Sequence, residues 1–513
     1  MGFITSDRDQ TNFFAYNLGD FVPQDAKCRF IGQIINRLDL RKLYYRYSDQ
    51  GGDAYDPSIM LAIWFLGYSE GICSSRKLEE RCNRDMHYIY ISANLKPDHT
   101  SLSRFRQTHI DLMTDYFIEM VRMAIEKGYS DFETIAIDGT KIQASSSLKK
   151  SKNTDALTRY IKAVEKDISK YMELCNENDN KEDLRIELKK KIALKKILIQ
   201  REQELEERKK TIAKKNRNKH QINLTEKDAY LMNKVNGAES LPGYNAQLCV
   251  DTKTQLIVSA DVVQSRHDSN QFIRQYKKAE ENLNTDKQRE YVADSGYYSL
   301  DQLEDIEQNE IKATLADPST KLVEEDTIAD LEKIYKSGRR VKKIDFRYNE
   351  YGDYYICPNQ EKFTYSGKYK SERSKGRTYK IKDKSRCISC PIKAQCHTIN
   401  NRSGTRTVQR EDRELFAERM REKLRTENAK KKLKLRSTTV EPVIGNIKSN
   451  LGFRRFKLRG LENVTGEFMM MCIAHNINKL YTMLNIPHQL YLFFVLRNLI
   501  LSILLKKNIC RFV

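Results

Sequence analysis

The sequence predicts an α/β chain, in which a helical N-terminal block leads into a strand-and-helix domain interrupted by two long insertions. Three observations carry this. Apolar residues recur at helical spacing through residues 1–130. Two short apolar runs each end directly on an aspartate followed by small residues, Asp138-Gly139 and Asp294-Ser295-Gly296. A proline-free, heavily charged run at 150–235 and a cysteine-containing run at 318–435 separate what look like pieces of one domain.

The elements follow in order. "PSIMLAIWFLGYSEG" has helical apolar spacing behind Pro57, which suits a first helical turn. "RKLEERCNRDMHYIYI" continues the pattern. In "KPDHTSLSRFRQTHIDLMTDYFIEMVRMAIEKGYS" Thr100 or Ser101 can cap a helix that Gly128 ends. Arg104 and Arg106 near that helix start could hold DNA, although ordinary helical packing explains the pattern equally well. "TIAID" is the first strand. Asp138 at its end is either a turn residue, since Asp-Gly is a common turn dipeptide, or a functional group on a rigid element. Residues 150–235 read as a long charged helical hairpin, with Leu184, Leu188, Ile192 and Ile199 keeping roughly one face. Tyr244–Val250 and Leu256–Val263 flank Asp251-Thr-Lys-Thr as a β-hairpin. A helix over "DSNQFIRQYKKAEENL" follows, then the strand that ends on Asp294. Glu441-Pro442 suits a helix start, and "GEFMMMCIAHNINKL" reads as a final buried helix.

Composition bounds the function. The 513 residues are long enough for roughly two to four domains. A formal charge of +21 and a pI near 9.3 predict a polyanionic partner, nucleic acid first and an anionic membrane surface second. "MGFITSDRDQ" lacks a basic-then-apolar signal, so no export is expected, and its Met-Gly start with Ser6 is read as a chance match to an acylation signal. Eleven scattered cysteines suggest a reducing compartment. The apolar stretch 490–505 carries Arg497 and Asn498 and is short for a membrane span, so it reads as a docking helix or irregular tail.

If the two aspartate-bearing strands neighbour each other in one sheet, both carboxylates emerge at one end, and Glu441 on a packed helix could join them. Three close carboxylates repel, and hard divalent cations compensate them naturally. Two such ions about 3.5–4 Å apart clamp a phosphodiester. A basic chain with this cluster should cut or join nucleic acid.

"AIDGTKI", "PGYNAQLCVD", "VADSGYYS" and "VEPVIGNIK…GFRRFKLRGLENV…CIAHNINKL" resemble, in order and spacing, a bacterial insertion-sequence transposase of the DDE class. "DPSIMLAIWFLGYSEGICSSRKLEERC…PDHTSLSRFR" resembles its helical N-terminal domain. The resemblance runs from about residue 30 to 485, is weakest in the charged insertion and is absent from the last residues. It implies a ribonuclease-H-like catalytic domain over 131–485, a DNA-binding helical domain over 1–130 and an apolar tail over 486–513. It also implies Mg²⁺ or Mn²⁺ held by Asp138, Asp294 and Glu441. Many relatives show Y-x2-R-x3-E-x6-K around the glutamate. Here Lys448 fits, but Ser437 stands at the arginine position, beside Arg436, and Lys434 at the tyrosine position. Glu462 and Glu467 compete for the glutamate role. Glu441 is preferred for Lys448 and the flanking "PVIGN". Lys448, Arg454 and Arg455 are expected to contact phosphate.

Cys387-Ile-Ser-Cys390, with Cys396 after it and Cys357 before it, supplies four thiols, and similar transposases carry a like cluster. The set suits tetrahedral Zn²⁺, with His397 able to replace Cys396 and the sulfurs expected about 3.5–4 Å apart. The reading is a cytoplasmic, nucleoid-associated DNA transposase. It cleaves the terminal repeats of its element and joins the 3′-OH to target double-stranded DNA, as a homodimer on DNA and without a membrane role. The alternatives are a decayed, non-catalytic DNA-binding protein and a metal-dependent nuclease that never joins strands.

Overall fold

The protein is seen in a computed structural model that describes residues 17–47, 53–177, 182–210, 220–232, 240–318, 331–370, 375–396 and 405–485. The apolar stretch 490–505, the tail 486–513 and His397 lie outside them. The chain forms two compact units. The first comprises Met1–His267, Gln275–Lys287 and Ser437–Val513, the second Asp268–Arg274 and Gln288–Arg436. The helical N-terminal block is therefore not a unit by itself.

Seven helices open the first unit: α1 (Lys27–Ile35), α2 (Arg41–Tyr44), α3 (Pro57–Ser69), α4 (Ser75–Arg84), α5 (Met86–Ile91), α6 (His99–His109) and α7 (Met113–Glu126). Aspartates set three starts. Asp56, Asp85 and Asp98 each accept backbone N–H bonds from the first turn of α3, α5 and α6, so Asp98, rather than Thr100 or Ser101, is the cap of α6. Pro57 sits in the first turn of α3, as expected. All of α3 except Ser58 is buried.

β1 (Thr134–Gln143) follows. The strand does not end at Asp138: it runs five residues further, because Thr140 and Ile142 continue the alternation and pair with β5. The short β2 (Ser151–Lys152) leads into α8 (Thr154–Glu177) and α9 (Glu182–Lys210), the charged hairpin. Its core is Leu157 and Val164 of α8 against Leu198 and Leu205 of α9. Ile192 and Ile199 are exposed, at 39% and 37%, which corrects the expected face. Several faces of α9 carry apolar residues, and the partner helix selects the phase.

β3 (Ile222–Asn223) and β4 (Tyr230–Met232) precede the expected hairpin, β5 (Leu241–Asp251) and β6 (Ile257–Val263). β5 is the centre of this unit's sheet, antiparallel to β1, β4 and β6. Ten of its eleven residues are buried, as both faces are covered. α10 (Phe272–Leu283) comes next.

The second unit contains a parallel pair, β7 (Glu290–Ala293) and β8 (Ala313–Leu315), separated by α11 (Leu300–Gln308). After α12 (Leu331–Ser337) comes a five-stranded antiparallel sheet: β9 (Arg347–Asn349), β10 (Tyr354–Ile356), β11 (Lys362–Lys370), β12 (Lys375–Ile381) and β13 (Thr407–Glu411). Each strand lies beside its neighbour in sequence, so the sheet is a simple antiparallel meander, 9-10-11-12-13. Phe363, Tyr355, Tyr379 and Val408 form its core. The short helices α13 (Lys384–Ile388) and α14 (Lys393–Cys396) carry the later cysteines, and α15 (Glu414–Arg425) packs on α11 and β8.

α16 (Glu427–Gly445) ends in a π-helical turn, Asn446–Asn450. Glu441-Pro442 therefore lies inside a helix, not at its start. Pro442 there forfeits one backbone hydrogen bond of the helix. α17 (Leu461–Asn485) is the long buried helix that was expected, packed against α3, α7 and β6. A Cβ at Gly466 would stand 2.3 Å from the Ile110 carbonyl oxygen, so glycine permits this close approach.

Candidate active site

Asp138 faces the same side of β1 as Ala136, Thr140 and Ile142. Those three are buried while Asp138 is half-buried, so a carboxylate breaks an otherwise apolar face. Its Oδ1 accepts from the Gly139 N–H at 2.7 Å. Opposite it on β5 stands Leu248.

The end of β1 is clasped by the segment 446–459. Lys448 donates from Nζ to the Lys141 carbonyl at 3.0 Å. Burial, with the charges of Lys141 and Arg454 added, pushes the Lys448 ammonium below its ordinary pKa. Gln143 N–H donates to the Arg454 carbonyl at 3.2 Å, and Phe456 N–H to the Gln143 carbonyl at 2.9 Å. Arg455 donates to the carbonyls of Ala144 at 3.1 Å and Ser146 at 2.9 Å, and Arg459 to that of Ser145 at 3.1 Å. Much of the hydrogen-bonding capacity expected for phosphate at Lys448 and Arg455 is thus turned to backbone. Arg454 is exposed, with Nε on the Lys448 carbonyl.

Glu441 is exposed on α16. Its two competitors differ. Glu462 lies in the first turn of α17. Glu467 is fully buried and accepts the backbone N–H groups of Lys457 and Leu458 at 2.9 Å. Burial pushes its carboxyl pKa up. Both amides belong to the basic segment, so Glu467 holds that loop in place.

The "CIAHNINKL" motif is a brace. Asn476 accepts from Ile257 N–H and donates to Ile257 C=O, each at 2.8 Å, which closes the backbone of β6. The His475 ring nitrogens lie 2.9 Å from the Gln255 carbonyl and 3.1 Å from the Asn446 amide. Asn478 donates to the Ser69 carbonyl of α3 at 2.8 Å. Sequence alone did not reveal these roles, since every partner is distant along the chain.

In the second unit Asp294 follows β7 directly, as expected, and Oδ1 accepts from Gly296 N–H at 2.9 Å. A Cβ at Gly296 would stand 3.0 Å from that oxygen and 3.7 Å from Cβ of Asp268. Asp268 is a neighbouring acid that sequence reasoning missed. Asp317, beyond the parallel neighbour β8, is buried and accepts from Arg421 Nε at 2.6 Å and the Tyr298 hydroxyl at 3.1 Å.

Among the described residues no three His, Cys, Asp or Glu side chains converge in a group that could hold a metal ion. The carboxylates are the right hard donors for Mg²⁺, on three separate elements. Cys357, Cys387, Cys390 and Cys396 do line one small cavity of about 20 Å³. Burial raises the thiol pKa of Cys357, Cys387 and Cys396, the last to about 12.

The helical block also separates two expected DNA contacts. Arg104 is exposed. Arg106 is 8% exposed, donates to the Tyr68 hydroxyl at 3.1 Å and the Cys73 carbonyl at 3.0 Å, and stacks 4.5 Å from the Trp64 ring. It is a core residue, since position 106 falls on the inner face of α6, which corrects its expected contact with DNA.

A family model described as Transposase DDE domain matches residues 356–481, and one described as Transposase domain (DUF772) matches residues 16–108. The first spans the four cysteines, Glu441 and the basic segment, and the second spans Arg104 and Arg106. No curated protein matches the chain. Among the described residues no helix is long and apolar enough to cross a membrane. One transposase domain model is thus matched toward each end of the chain, which is similar in both regions to DDE transposases of insertion elements.

Proposed function

We propose that this chain is a DNA transposase that cleaves the terminal repeats of its element and joins the freed 3′-OH to target DNA, on a ribonuclease-H-like catalytic domain. The carrying observation is that β1, which bears the half-buried Asp138, is clasped at its end by the basic segment containing Lys448, Arg454 and Arg455. An acid and a run of cations are thereby held by one ordered piece of backbone. In this reading Asp138, Asp294 and Glu441 would hold Mg²⁺ or Mn²⁺. Such ions supply activation of the attacking oxygen and charge stabilisation at the leaving oxygen. Arg454 and the outward edge of the basic segment position the phosphate backbone, and Arg104 adds a contact from the helical block. Two copies of the bacterial protein, in the cytoplasm and at the nucleoid, hold the two element ends. The four cysteines would take Zn²⁺ as a structural ion. Their soft donors and a cavity about the size of one water support this, and metal analysis of the purified protein tests it.

The test is incubation of the protein with duplexes carrying its element ends and Mg²⁺. Strand cleavage is expected, with Asp294→Asn and Glu441→Gln reducing it about a thousandfold. That is the rate equivalent of the several kcal/mol a metal contributes. End binding should be unchanged in both variants. Binding without cleavage is the second reading, favoured by the absence of a converged acidic group among the described residues. Wild-type protein that binds ends but never cuts them, with Mg²⁺ or Mn²⁺, establishes it. Cleavage without joining points instead to a nuclease.

A further inference from the structure

The second unit carries a basic strand pair that the reaction above does not use. Near its base, β11 and β12 bury Phe363, Tyr379 and Ile381. Past a register shift between Tyr365 and Gly367, the pair emerges from that core. There Lys368 stands directly opposite Arg377, and Lys370 directly opposite Lys375. All four are exposed. Like charges facing each other across a strand pair destabilise it. Residues two apart on a strand share a face, so the four cations form one cluster. Lys380 and Lys382 on β12 and the loop beyond it are exposed too.

Elsewhere this unit neutralises several of its basic residues. Arg339 is paired with Asp345, Arg410 with Glu418 and Arg421 with Asp317. On the ribbon Arg377 reaches Asp353 at 3.0 Å. Lys368, Lys370 and Lys375, three of the four cations, thus have no acidic partner among the described residues, and such a surface suits an external polyanion. β13 flanks β12 as far as Gly376, so the cluster sits on the outer end of the five-stranded sheet, with Arg410 opposite Arg377.

We propose that the β11–β12 ribbon is a DNA contact, with Lys368, Lys370 and Lys375 neutralising duplex phosphates. This rests on the reading of the chain as a DNA-acting protein and adds a contact surface to it. The test compares three full-length proteins binding a random-sequence duplex over a range of salt concentrations. They are the wild type, a ribbon variant (Lys368→Ala, Lys370→Ala, Lys375→Ala), and a control variant with the same charge change on the helical hairpin (Lys166→Ala, Lys189→Ala, Lys196→Ala). Those three hairpin lysines are exposed. Urea unfolding midpoints establish that each is folded. The ribbon variant should lose about three units from the slope of log affinity against log salt, roughly 0.9 per phosphate, and bind at least about tenfold more weakly at moderate salt. The control should keep more of both. Equal losses in the two variants overturn the ribbon proposal while leaving DNA binding intact. A wild type that binds no duplex overturns the DNA reading itself. A ribbon variant that binds duplex normally but loses phosphatidylserine vesicles assigns the surface to membrane and overturns the proposal as well.

Discussion

Two sets of basic residues, one in each unit, meet opposite fates. In the first, Arg106, Lys448, Arg455 and Arg459 direct their N–H groups at protein carbonyls and hydroxyls. In the second, the lysines of the β11–β12 ribbon stand exposed beside one another. The two groups look alike in composition, and both contribute to the charge of +21. The difference teaches that a cation's role is decided by whether the fold supplies its counter-group. Where backbone oxygens lie within reach, the cation fastens loops. Where they do not, it is left to an external anion.

The largest expected effect tests the fastening side. Arg106→Ala strips the partner from the Cys73 carbonyl and Tyr68 hydroxyl and leaves the buried Glu467 with Lys457 but without the Arg106 charge. It should destabilise the fold by about 3–5 kcal/mol, read as a lower urea midpoint. A stable variant that specifically loses DNA binding would reverse the assignment of Arg106.

Next in size is a pH effect at a buried ring of α17. Burial holds His475 neutral, with its pKa pushed down from 6.5 to about 4. On acidification the unfolded chain takes up the proton first. The stability contributed by neutral His475 is therefore complete above about pH 6.5 and is lost as the pH falls toward 4. The loss is roughly 2–3 kcal/mol. His109 and His220 shift the same way. Unfolding midpoints measured from pH 7 to 4.5 should fall steeply, and less so in His475→Gln. An identical slope in that variant would show that α17 is not clamped through this ring.

A smaller effect is expected in the second unit. In Gly296→Ala the added methyl meets Asp294 Oδ1 at 3.0 Å and displaces it. Cleavage should fall about tenfold to a hundredfold, as for a small misplacement of a reacting group, with the unfolding midpoint nearly unchanged. Full activity would separate Asp294 from the chemistry. The smallest effect is Arg104→Ala, which should change stability by less than about 0.5 kcal/mol and weaken DNA binding only slightly. A large loss of stability there would erase the contrast with Arg106.

Much of the architecture was legible from local pattern. The helical start at Pro57, the β5–β6 hairpin, the strand before Asp294, the charged helical hairpin and the buried last helix all follow from periodicity and turn chemistry within a few residues. The two transposase matches agree with the resemblance carried by the motifs. The positions of Asp138 and Asp294 on strand ends or strands were legible for the same reason: a carboxylate in an apolar run stands out in one dimension.

What tertiary structure alone decided was the partner of each polar group. β1 continues past Asp138 because β5 lies alongside to pair with it. α9 turns Leu198 and Leu205 inward because α8 offers its apolar stripe there. Arg106 rather than Arg104 is buried, and Glu467 rather than Glu441 caps the basic loop, because Trp64, Tyr68 and the 457–458 amides come from far along the chain. Periodicity reports which face a residue is on. Only the packed fold brings up the oxygen, ring or amide that determines what a buried charge does.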